Sequence, residues 1–209
     1  MTMTARPPQP SSAKAGRGRP RDAEVDENIL AAARQLLAEG GFDAMSFEAV
    51  AQLAGVTRPT IYRRWPTKAH LANEIANGGG RTIADIIESQ GLRAQLLAFV
   101  TLLMAQYRRP ETSAANAGLM VSFRSAPELR DELHTPLEKQ ARKDLAAILD
   151  KGKALGLIAA SVDADIVFDI AVGAVIFRAM FSSLPARKGL ADAICDIIQN
   201  GIAVGTPTS

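Results

Sequence analysis

Cysteine is nearly absent. Cys195 is the only one in 209 residues, which excludes an internal disulfide and a multi-thiolate zinc site and makes a reducing cytoplasm the expected compartment. Only two histidines occur, His70 and His134, and neither stands in a His-x-x-x-His or Glu-x-x-His spacing, so the helical zinc-hydrolase pattern is missing. Aromatic residues make up 5%, and apolar content is carried by Ala, Leu, Ile and Val with few alternating stretches, which favours packed helices over a sandwich or barrel. Uncharged runs extend only to the 14 residues of Ala94 to Tyr107, short of the roughly 18 that span a bilayer, so no membrane partner is expected. The first 21 residues have cations but no apolar run, and they do not read as a secretory signal. With 47% hydrophobic and 22% charged residues, wholesale disorder is excluded as well.

The net charge of +2 is unevenly distributed. Residues 76–209 carry 14 basic and 14 acidic side chains, whereas residues 1–75 carry 10 basic and 8 acidic. Within that first part, Arg6, Lys14, Arg17, Arg19 and Arg21 lie in a block without acids, and so do Arg58, Arg63, Arg64 and Lys68. Clustered cations of this kind follow a polyanion or form a solvated face.

Residues 1–21 are rich in Pro, Ser and Gly and almost empty of large apolar side chains, which describes a disordered basic arm. From Asp22, Val25, Ile29, Leu30, Ala33, Leu36 and Leu37 recur at helical spacing until Gly40-Gly41, a first helix with its C-cap. Ser46 is placed to cap a short second helix that buries Val50, Leu53 and Ala54, and Gly55 ends it. Thr57 and Pro59 then open a third helix in which Ile61 and Trp65 share the inward face. Pro59, Thr60 and Arg63 point outward there, with Arg58, Tyr62 and Arg64 on the flanks. Two short helices joined by a glycine turn, the second with a basic outer face, form a helix-turn-helix. Further helices are expected over residues 68–88, 92–107, 112–125, 127–156 (interrupted near Pro136), 163–184 and 187–202, with no strand pattern and no repeat.

The segment Ser46 to Ile75, SFEAVAQLAGVTRPTIYRRWPTKAHLANEI, resembles the DNA-binding region of the TetR family of transcriptional regulators. The likeness rests on the Ala-Gly-Val turn, the Thr-Ile-Tyr of the third helix, the aromatic that ends it and the Pro-Thr-Lys that follows. A looser likeness continues in LGLIAASVDADIVFDIAVGAVIFRAMF, with Gly173 and Arg178 at familiar positions. The resemblance implies an all-α homodimer with a three-helix DNA-binding domain (residues 22–75) and a helical ligand-binding and dimerisation domain (residues 76–209). It puts Arg58, Pro59, Thr60 and Arg64 against base edges or their rim, and Ser46, Thr57, Tyr62 and Lys68 on phosphates. Arg63 suits either role. Arginine can donate bidentately to guanine O6 and N7, while hydroxyls and lysine suit phosphate. Glu48 departs from the pattern, as an acid where some members carry a polar or basic DNA contact; it either accepts from cytosine N4 or faces solvent. Arg17-Gly18-Arg19-Pro20 is similar to the core of an AT-hook, where two arginines around a glycine enter a narrow minor groove; the other reading is a solubilising tail.

The sequence holds no partnered nucleophile and no metal-ligand set, so no metal, no cofactor and no enzymatic activity are expected. Asp165 and Asp169 share a helical face, but Asp163 fits a helix N-terminus. Phe99, Leu103, Met104, Tyr107, Met120, Phe123, Leu145, Ile148 and Phe177 either line an apolar effector pocket or fill an ordinary core. Ile166, Ile170, Gly173, Ala174, Ile194, Ile197 and Ile198 suit a four-helix dimer interface. Gly78-Gly79-Gly80 is read as a loop or as a hinge in the connecting helix. Together these readings describe a ligand-responsive transcriptional regulator, a repressor by preference. Its partners are a pseudo-palindromic operator in double-stranded DNA and an unknown small-molecule effector. The alternative is a helical small-molecule binding or catalytic protein with a vestigial DNA-binding module.

Overall fold

The computed structural model describes residues 19–78, 91–183 and 188–202, with side chains from Asp22 onward. The described residues contain α-helices and no β-strand: α1 (Arg19–Ala44), α2 (Phe47–Ala54), α3 (Arg58–Tyr62), α4 (Lys68–Asn77), α5 (Leu92–Tyr107), α6 (Pro110–Ser125), α7 (Pro127–Leu133), α8 (Thr135–Ala154), α9 (Ala164–Met180) and α10 (Leu190–Ile202). Arg17, Gly79, Gly80 and most of the expected arm lie outside the described residues. The backbone of Arg19 already opens α1, three positions ahead of Asp22.

Local chemistry accounts for the early helices. Ile29, Ala33 and Leu37, spaced by four, are buried along α1, each large side chain contributing about 1.5–3 kcal/mol. Gly41 breaks the helix at φ 73° and ψ −169°, a conformation in which only glycine is comfortable. α2 starts at Ser46, whose Oγ accepts from the Ala49 N–H at 3.1 Å, and stops at Gly55 in the left-handed region. Thr57 occupies the N-cap of α3 as expected, but its Oγ1 lies 3.0 Å from that of Thr60 and makes no hydrogen bond to a backbone N–H of the helix.

α4 ends at Asn77, within the span expected to run on to residue 88. Gly78 occupies its C-cap and donates to the Glu74 carbonyl at 2.6 Å. A Cβ there would stand 2.3 Å from that same oxygen, so at this position glycine accommodates a close turn rather than weakening a helix interior.

The apolar side chains form two cores. The first joins α1 to α4 around Ile29, Met45, Val50, Ile61, Trp65 and Leu71, and it also takes Ala115 and Leu119 of α6, with Phe123, Leu129 and Leu133 at its edge. The second unites α5, α8, α9 and α10 around Leu96, Phe99, Leu145, Leu149, Phe168 and Ile198. The first core thus extends past residue 75, because α6 and α7 lie against the N-terminal helices. Approach is close at Gly118, where an added Cβ would stand 1.9 Å from Cγ of Phe42.

The expected pocket residues separate accordingly. Phe99, Leu145 and Ile148 are buried in the second core, with Leu103, Met104 and Tyr107 packed at its margin. Phe123 belongs to the first core. Met120 and Phe177 line neither interior, being 44% and 64% exposed. In α6, Ala115, Gly118 and Leu119 take the inward face, and one step of about 100° turns Met120 away from it.

The residues assigned to a dimer face also divide. Ile166, Ile170, Gly173, Phe177 and Phe181 follow one another by four, three, four and four positions and are all exposed. Phe177 and Phe181 stack at 6.2 Å. Ile197 of α10 is 72% exposed, and Ala174 and Ile194 are half-buried. Ile198 instead points into the second core, since it is one residue around the helix from Ile197.

Candidate nucleic-acid interface

α3 is only five residues long, too short to be stable alone, and it is held by what it buries. Ile61 and Trp65 insert into the first core, and the chain beyond Tyr62 continues as a turn, with Arg64 and Trp65 N–H groups both donating to Ile61 O at 2.9 Å. This anchoring leaves Thr57, Arg58, Pro59, Tyr62 and Arg63 exposed, with Thr60 partly so.

Three contacts fix side chains on this surface. Tyr62 meets the Phe47 ring edge-on, with centroids 4.7 Å apart at 79°. The Arg58 guanidinium lies 6.0 Å from the Tyr62 centroid, and its Nη1 is 2.6 Å from Oε1 of Glu48 in the first turn of α2. Hydrogen bonding to Tyr62, then the Glu48 charge, raises the Arg58 pKa above its already high range. Glu48 is thus paired with a cation on the outer face.

Arg64 departs from its expected placement. Its side chain is 15% exposed and folds back onto α1, where Nε donates to Asp26 Oδ1 and Nη2 lies 3.1 Å from Asp22 Oδ1. Nη1 donates to the Thr60 carbonyl at 3.2 Å. Asp22 and Asp26 are one helical turn apart and share a face; that spacing was legible, but not which cation it awaited. Arg63 is the exposed member of the pair.

Lys68 opens α4 with its Nζ 4.1 Å from the centroid of Phe42. Burial lowers its pKa below the ordinary lysine value, and the Asp43 charge acts the other way. Next to it, His70 Nδ1 lies 2.8 Å from Thr67 Oγ1 and its Nε2 lies 3.2 Å from Glu132 of α7. Phe42, Asp22, Asp26 and Glu132 were not read as contributors from the sequence.

Residues singled out for other chemistry have structural partners. The Asp163 side chain accepts from the Asp165 N–H at 2.8 Å and caps α9. Arg142 gathers Glu138, Asp165 and Asp169 at 2.8, 3.2 and 2.6 Å and lies over Phe168. Cys195 is buried, and burial raises its thiol pKa, which disfavours the nucleophilic thiolate. No described helix is long and apolar enough to cross a membrane.

Comparison with known proteins agrees with this geometry. Residues 29–75 match the family model described as bacterial regulatory proteins, tetR family, and residues 86–198 match the tetracyclin repressor-like, C-terminal domain. An HTH-type transcriptional regulator of Mycobacterium tuberculosis is 28% identical over 177 residues, 85% of each chain. A DNA-binding transcriptional repressor TetR of Mycobacteroides abscessus is 28% identical over 145 residues, covering 68% of this chain and 75% of that one. Among solved structures, the regulator FadR of Bacillus subtilis in complex with stearoyl-CoA superposes with a TM-score of 0.67 at 19% identity, over 85% of this chain and 99% of FadR.

Proposed function

The chain belongs to the TetR family of transcriptional regulators, with its DNA-binding helix-turn-helix in α2 and α3, and from that premise we propose that it is a ligand-responsive repressor. In this reading it acts in the cytoplasm without catalysis and binds a pseudo-palindromic operator in double-stranded DNA as a homodimer. The observation that carries the proposal is the division of α3 and the turn after it, where Ile61 and Trp65 lock the segment to the core while Arg58, Pro59, Tyr62 and Arg63 stay exposed. Arg58, Pro59 and Thr60 face base edges, and Ser46, Thr57, Tyr62 and Lys68 hold phosphates. Arg63, which points outward, takes the base-edge contact that the resemblance gave to Arg64, whose guanidinium is occupied by Asp22 and Asp26. Arg17 and Arg19 follow the minor groove.

The exposed stripe of Ile166, Ile170, Gly173 and Phe177, with Ile197, supports pairing of two copies. A Cβ on Gly173 or Gly201 would meet nothing within 4 Å, which leaves room for close approach of a second helix pair. The effector is an apolar molecule received among Phe99, Leu103, Met104, Tyr107, Leu145 and Ile148. Burial raises the Tyr107 pKa, keeping its phenol neutral as a hydrogen-bond donor. Because α6 packs on α1 and α4 and also touches α5 and α9, an effector that shifts α6 changes the distance between recognition helices. Successive major-groove sites lie about 34–36 Å apart, so a dimer held at another spacing binds less tightly.

Selection of duplexes from a randomised library by the purified protein, followed by sequencing, tests the proposal. Two inverted half-sites are expected. Enrichment of no sequence, or of a single half-site bound by one copy, would defeat it.

A further inference from the structure

The Glu48–Arg58 pair is poorly explained as a stabilising contact. Both side chains are more than half exposed, and ion pairs in that setting contribute little to folding. It is also costly for general DNA binding, since a carboxylate beside Arg58 on this face repels phosphate and reduces the counterion-release gain on any sequence. An acid retained on this face is useful if it touches a base instead of the backbone.

The chemistry of the pair specifies which base pair. Across the major groove a G·C pair presents two acceptors, guanine N7 and O6, followed by the cytosine N4 donor. Arg58 has donors left after Nη1 meets Glu48 at 2.6 Å, because a guanidinium carries five N–H groups. Glu48 is acceptor-only when ionised. Side by side, the two groups present donor, donor, acceptor, the complement of that G·C edge. Against A·T the arginine would face the adenine N6 donor and the carboxylate would face thymine O4. Against the reversed C·G pair, the carboxylate would lie on guanine acceptors. Two contacts restrain the arginine before DNA arrives: Glu48 on one side, and the Tyr62 ring, which is itself set edge-on to Phe47. Such restraint reduces the ordering cost of binding and keeps the guanidinium from swinging to a phosphate.

We propose that Glu48 is a specificity-determining residue, reading one G·C pair in each half-site jointly with Arg58: the guanidinium donates to guanine while the carboxylate accepts from cytosine N4. The inference rests on the DNA-binding reading above and adds to it a base identity and a role for an acid.

The test is a selection from a randomised-core duplex library with the wild-type protein, Glu48→Gln, Glu48→Ala and Arg58→Ala, together with thermal melts and binding to one duplex of mixed sequence. The wild type is expected to fix a G·C pair at one position of each half-site. Both Glu48 variants should keep the remaining positions, lose on the order of tenfold in discrimination at that one, and bind the mixed-sequence duplex several-fold more tightly because a repelling charge is gone. Arg58→Ala should relax the same position. Unchanged base preference in the Glu48 variants would overturn the proposal. So would a lowered melting point with intact preference, which would make Glu48 only a favourable charge at the start of α2. If the wild type itself enriches no sequence, the DNA-binding reading fails, and the two failures are distinguishable by that control.

Discussion

The Lys68 ammonium lies 4.1 Å from the centre of the Phe42 ring, and the same ring packs directly on the α6 backbone at Gly118. A cation over an aromatic face gains about 0.5–2 kcal/mol, depending on how far it is desolvated. Lys68 begins α4, Phe42 lies just past the Gly41 break, and α6 belongs to the first core while also touching α5 and α9. A side chain proposed for a phosphate is therefore supported from beneath by α6.

Gly118→Ala follows from this contact. Its new Cβ would overlap the Phe42 ring, and overpacking of this kind costs about 1–3 kcal/mol. A lower denaturation midpoint is expected in urea or heat. DNA affinity should fall further than the loss of folded protein explains, because Phe42 no longer sets the position of Lys68. An unchanged midpoint would mean that the ring moves aside freely.

Lys68 itself is checked by salt and by pH. Lys68→Ala should weaken all duplexes alike and flatten the log affinity against log salt slope by about one unit. Burial lowers the folded-state pKa of Lys68, so between that value and the ordinary lysine value of about 10.4 the unfolded chain binds more protons than the folded one. Stability contributed by this group therefore rises with pH through that window, while DNA affinity falls as the cation is lost. Lys68→Arg, which stays charged, should lack both trends relative to the wild type in parallel titrations.

Arg64 and Arg63 should separate cleanly. Removing Arg64 leaves Asp22, Asp26 and the Thr60 carbonyl without their donor, with an expected stability loss of about 1–3 kcal/mol. Arg63→Ala, at an exposed site, should stay within about 0.5 kcal/mol of wild type and lose DNA affinity. A double-mutant cycle between Arg64 and Asp26 measures the coupling; additive effects would show that the contact contributes nothing.

The proposed dimer uses the uncovered stripe of α9. Ile170 and Phe177 are exposed in the single chain, so replacing both by Glu should leave the helix content intact. Sedimentation is expected to show monomers where the wild type forms dimers, with a large loss of operator affinity. A double variant that still sediments as a dimer would move the interface elsewhere.

Much of this architecture was written in short-range signals. Ser46 before Ala49, glycines at 41 and 55, and Ile61 four residues before Trp65 define caps, turns and an inward face within a few positions of one another. These depend on backbone hydrogen bonds and helical periodicity, which a linear sequence carries. Which of several apolar or charged faces is covered depends on partners distant in the chain. Arg64 turns inward because Asp26 and Asp22, 38 and 42 residues earlier, are there to receive it. Phe123 joins the N-terminal core, whereas Met120 and Phe177 face outward and Ile198 turns in. On a helix a single residue step rotates a side chain by about 100°, so composition alone leaves these neighbours equivalent and only close packing between helices selects one of them.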